Sequence, residues 1–100
     1  MEINTKLAVI AIVVEQPDSV RELNELLHGC SSYIIGRMGI PHRERGVSLI
    51  SVAMDAPQDV ISTLSGKLGR MKGVSAKVAY SKLPETVGGA KQEAAEIERK

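Results

Sequence analysis

The chain has 100 residues, enough for one domain whose core needs no metal or disulfide. Apolar residues make up 43% and charged residues 25%, and 13 basic against 12 acidic side chains leave a net charge of +1. That balance gives no global pull toward nucleic acid, and two Tyr with no Trp or Phe give no platform for stacking single-stranded bases. A lone cysteine, Cys30, excludes an internal disulfide and an all-cysteine zinc cage, and fits a reducing cytoplasm.

The longest apolar run is Leu7 to Val14, far short of the roughly 20 residues of a membrane helix. Lys6 is the only base before it, Glu2 is acidic, and no small-residue cleavage pattern follows, so a signal peptide is not expected either. The run is apolar on both alternating faces and reads as a strand in the middle of a sheet. Glu15-Gln16-Pro17-Asp18 breaks it and opens a helix, with Pro17 suited to the first turn and Asp18 to the positive helix end. Val20, Leu23 and Leu27, widened by Leu26, form the apolar stripe, and Gly29 is expected to stop the helix in a left-handed conformation.

Two β-type runs follow, Tyr33 to Met38 and Val47 to Met54, around a loop rich in Gly, Pro and positive charge. Gly39 and Gly46 bracket Ile40, Pro41, His42, Arg43, Glu44 and Arg45, while Arg37 projects from the incoming strand. The second run is again largely apolar on both faces. Asp55-Ala56-Pro57 ends it, and Val60, Ile61, Leu64, Leu68 and Met71 mark a second helix that Gly73 closes. Gly66 and Gly69 inside that helix predict close packing or some irregularity, since each costs about 1 kcal/mol against Ala. Val74 to Ser81 alternates as an edge strand does.

Glu15-x-Pro17-x-x-Val20 recurs as Asp55-x-Pro57-x-x-Val60, each time between an apolar strand and an amphipathic helix. The order is therefore β-α-β-β-α-β, which predicts an α+β, ferredoxin-like fold. Its four-stranded antiparallel sheet would have the first and third strands central and both helices on one face. Residues 1–82 form the domain, and residues 83–100 read as a polar tail, solvated or transiently helical. Two helices cover only one sheet face, yet the central strands are apolar on both. An exposed patch of roughly several hundred Å² marks an interaction surface, so a homo-oligomer is expected, as a dimer or a dimer of dimers.

The loop is the candidate site. Two or three guanidiniums with exposed backbone amides can hold a carboxylate or phosphate, so Arg37, Gly39, His42, Arg43 and Arg45 are the candidate ligand-binding residues for a small anion or a partner. The alternative is a solvated hairpin loop whose Arg residues pair with Glu44 or with a neighbouring subunit. His28, Cys30 and His42 could form a three-ligand metal site across an oligomer, but they also suit a helix-end His, a small buried Cys and a loop His. No local spacing suggests a nucleophile–base set, and Gly36-x-x-Gly39 leads into a hairpin rather than a helix, so neither catalysis nor a cofactor is expected.

Four stretches carry a resemblance: Ile12 to Glu15, Val20 to His28, Ile34 to Gly46, and Leu64 to Arg70 with Gly73-Val74. Together they resemble the iron-only hydrogenase system regulator family, over roughly Lys6 to Ser81, with Gly-Arg-Met-Gly-Ile-Pro-x-Arg-Glu-Arg-Gly the most specific segment. The resemblance implies an ACT-like fold, similar also to the C-terminal domain of the nickel-responsive regulator. It also implies a link to iron-only hydrogenase and its maturation. The His-rich, Cys-containing metal cluster of the nickel regulator is not reproduced here, nor is its ribbon-helix-helix arm, so DNA contacts would have to come from a partner. The expected function is a non-enzymatic, homo-oligomeric regulatory module. The competing expectation is an assembly factor that contacts a hydrogenase-system protein, and a metal-binding sensor is the weaker third.

Overall fold

A computed structural model describes residues 4–82 of the chain. The polar tail expected at residues 83–100 lies outside the described residues, as does the start of the chain. Four strands, β1 (Lys6–Val14), β2 (Ile34–His42), β3 (Val47–Ala56) and β4 (Val74–Tyr80), alternate with helices α1 (Val20–Gly29) and α2 (Gln58–Arg70) in the order β-α-β-β-α-β. The strands form one antiparallel sheet in the order β2-β3-β1-β4, so the two doubly apolar strands are the central ones.

One face of the sheet carries the core. Ala8, Ile10, Ile12 and Val14 of β1 stand beside Ile50, Val52, Met54 and Ala56 of β3, and all are buried. Leu23 and Leu27 of α1 and Ile61, Leu64 and Leu68 of α2 close over them. These are the stripe residues the 3.6-residue period selects, and each fully buried Leu or Ile is worth roughly 1.5–3 kcal/mol. Among the described residues no polar or charged residue is buried. Both proline junctions stand where the internal repeat puts them: Pro17 opens a short 3-10 turn before α1, and Pro57 immediately precedes α2.

The opposite face stays open. Val9 on β1, Leu49 on β3 and Met38 and Ile40 on β2 are 44%, 45%, 60% and 52% exposed. Ala11, Ser51, Ala53 and Gly36 lie between them in the register, so the middle of the face is flat. Lys77 on β4 pairs with Ala11 and so lies at one margin.

Three expectations are corrected. Gly29 is not left-handed, since positive φ among the described residues occurs only at Gly46 (66°) and Gly73 (71°). The α1 helix instead runs into Cys30, whose N–H donates to Leu27 O at 3.0 Å, and a second 3-10 turn, Ser31–Tyr33, follows. The α2 helix is unbroken through Gly66 and Gly69. A Cβ at Gly69 would meet nothing within 4 Å, and one at Gly66 only the flexible end of Arg70 at 3.5 Å. Neither glycine serves close packing. Finally, β2 does not end at Met38 but continues to His42, with Gly39 opposite Ile50 and Pro41 opposite Ser48. An edge strand has one free side, so a proline without an N–H is tolerated there.

Candidate functional site

The loop expected between Gly39 and Gly46 contracts to a tight turn, Arg43 to Gly46, between His42 and Val47. Arg45 N–H donates to His42 O at 3.3 Å, and Gly46 N–H donates to Arg43 O at 3.2 Å. Gly46 takes the left-handed conformation that brings the chain back into β3. Arg43, Glu44 and Arg45 are all exposed. The His42 imidazole lies 3.8 Å from a Glu44 carboxylate oxygen, in a contact too exposed to stabilise much.

The turn sits at the end of the sheet where β1 passes into α1, because Val14 pairs with Ser48. Between them is a cavity of about 300 Å³. Val14, Pro17, Val20 and Pro41 give it apolar walls, and His42 and Arg43 supply its ionisable groups. It can accept a small molecule that carries an anionic group beside an apolar body. His42 and Arg43 are thus brought together, and Arg45 stays on the same turn without lining the cavity.

Arg37 and Gly39 are placed elsewhere, and a β-bulge decides it. The β2–β3 register shifts between Ile34 and Gly36, so Ile35 is an extra residue in β2. One added residue exchanges the two faces for everything after it. Arg37 therefore shares its pair with Val52, on the helix side, while Met38 and Ile40 join the open face. Arg37 Nη2 donates to Asn24 Oδ1 of α1 at 3.0 Å. It lines a separate cavity of about 290 Å³ with Asn24, Leu27, His28, Ser31 and Ile34. Gly39 is an ordinary paired strand residue.

The three soft metal-ligand types are separated. His28 lines the cavity at Arg37, Cys30 lines a third one of about 390 Å³ between the helices, and His42 lines the one at the turn. Among the described residues no group of three His, Cys, Asp or Glu is close enough to hold a metal ion. The walls given by Pro17 and Val20, and the neighbours of Arg37 on α1, are not identified from sequence. For Pro17 and Val20 the signal is present in the proline repeat, because the β-α-β-β-α-β order lays the end of β1 beside the start of β3.

Fold and site together define a small ferredoxin-like module with ionisable groups beside a strand-to-helix junction. The chain belongs to the TM1266-like family, whose model matches residues 6–78 and is described as "Iron-only hydrogenase system regulator, putative". It is 37% identical to the uncharacterized protein TM1266 from Thermotoga maritima, whose structure it matches with a TM-score of 0.75 over 78% of this chain and 99% of that one. A formyltetrahydrofolate deformylase from Pseudomonas putida KT2440 matches with a TM-score of 0.55 at 13% identity, over 73% of this chain and 28% of that one. That second likeness is one of fold alone. No curated protein matches the chain.

Proposed function

We propose that this chain is a non-enzymatic, cytoplasmic regulatory module of the iron-only hydrogenase system. In this reading it acts as a homo-oligomer that takes up a small anion beside the β2–β3 turn. The family description supports the regulatory role, and no helix among the described residues is long and apolar enough to cross a membrane. The observation that carries the ligand reading is the cavity at the turn, where Arg43 and His42 stand against walls of Val14, Pro17, Val20 and Pro41. A guanidinium supplies a carboxylate or phosphate with charge and a two-pronged donor, while the apolar walls desolvate the rest of the molecule.

The open sheet face supports self-association. Its exposed Val9, Met38, Ile40 and Leu49 are spread across β1, β2 and β3, and a flat centre of Ala and Ser lets a second sheet approach to about 10 Å. A second copy offers a surface of the same size and polarity, with its like-charged Lys77 kept to the margin. His42 pairs with Val47 in the same register and borders both the cavity and the edge of that face. A ligand that prefers one arrangement of the subunits would shift the assembly, and this is the regulatory step.

A thermal-shift screen against small carboxylates, amino acids and nucleotides tests the ligand reading, with an Arg43→Ala/Arg45→Ala variant alongside. One anion should raise the melting temperature by roughly 5 °C or more at saturation, and the variant should lose the effect. If no anion stabilises the wild type, the ligand reading fails and the open face and turn become surfaces for a protein partner.

A further inference from the structure

The cavity between α1 and β2 is separate from the turn, and its lining is polar in a particular way. Asn24 and His28 lie one helical turn apart on α1, and Ser31 follows in the next turn of chain. Arg37 reaches them from β2 because the bulge at Ile35 turns it to the helix side. All four line one cavity of about 290 Å³, floored by Leu27 and Ile34. The guanidinium is held by a neutral amide, Asn24 Oδ1 at 3.0 Å, and among the described residues that is its one polar partner. Arg37, Asn24, His28 and Ser31 are all exposed, so an anion can reach the guanidinium directly. The Asn24 amide fixes one edge of the fork, and the remaining N–H groups stay open to solvent or to an arriving anion.

We infer that this cavity binds a phosphate group, with Arg37 as the anchoring cation, Ser31 and His28 as further donors, and Asn24 as the positioning residue for Arg37. A tetrahedral oxyanion accepts from more directions at once than a flat carboxylate, and the residues that line this cavity come from a strand, a helix and a turn. The volume suits one phosphate head with a small substituent rather than a large ligand.

The test is a two-dimensional NMR titration of the whole chain at constant ionic strength, with inorganic phosphate, glycerol 3-phosphate and acetate as separate arms. Phosphate should move the amide signals of Asn24, His28, Ser31 and Arg37 saturably. A match by glycerol 3-phosphate would identify a phosphomonoester as the natural form, and weaker binding would identify the free ion. Arg37→Gln should weaken binding about tenfold or more and Asn24→Ala by a smaller factor, whereas Arg43→Ala should leave it unchanged. Loss in Arg43→Ala instead would assign the anion to the turn and overturn this site while leaving the earlier reading intact. Shifts that do not saturate, equal binding by Arg37→Gln, or acetate binding as tightly as phosphate would each overturn the inference.

Discussion

At Gly73 two demands meet. Its φ is 71°, and a Cβ there would collide with the side chain of Gln16 and come within 3.2 Å of the Gln16 backbone nitrogen. Its carbonyl accepts the Glu15 N–H at 2.7 Å, and nearby Ser19 Oγ donates to Lys72 O at 2.7 Å. The β1–α1 and α2–β4 connections are thereby laced together at a residue that has no side chain. Gly73→Ala should cost about 2–4 kcal/mol by urea denaturation, from left-handed strain plus collision. Gly46→Ala is the control, because its φ is 66° with nothing within 4 Å, and it should cost only about 1–2 kcal/mol. Equal losses would show that the Gln16 contact is immaterial. That a glycine belongs near position 73 is legible in the sequence, as a break after an amphipathic run. Its partner is not, since nothing local marks Gln16 as a neighbour.

Helices α1 and α2 are the most legible elements, because an apolar stripe at helical period has one economical use. Leu23, Leu27, Ile61, Leu64 and Leu68 are buried as their spacing requires. The glycines within α2 mislead for the opposite reason: a glycine in a helix suggests close approach, but the space beside Gly69 is open and Gly66 has only the flexible end of Arg70 nearby. Gly69→Ala should therefore stabilise the protein by roughly 0.5–1 kcal/mol, with Gly66→Ala similar, as read from denaturant midpoints. A loss of stability at either position would mean that something packs against that helix face. Strand β2 is the least legible element. Glycines, a proline and clustered charge read as a loop, whereas an edge strand accepts all three. The bulge that aims Arg37 toward α1, and Met38 and Ile40 toward the open face, depends on pairing with β3 and has no local signal. The candidate site was accordingly visible as a concentration of residue types, but its division between two cavities was not.

For the whole molecule, the strand order follows from the repeat of strand, proline and helix, and the apolar second face follows from β1 and β3 being apolar throughout. An apolar face on a charged and otherwise ordinary surface is the feature on which the regulatory reading depends, because it gives a ligand an assembly to act on. Leu49 lies on that face at 45% exposure and contributes little to the core, so Leu49→Lys should change monomer stability by about 0.5 kcal/mol or less. It should nonetheless drive the protein to a monomer, since two unpaired ammonium groups would be buried between the sheets. The direct measurement is sedimentation equilibrium of the wild-type chain at micromolar concentration, with Leu49→Lys beside it. The account predicts the mass of two or four chains for the wild type and of one chain for the variant, with equal far-UV circular dichroism. A wild type that sediments as a single chain across the concentration range would contradict it.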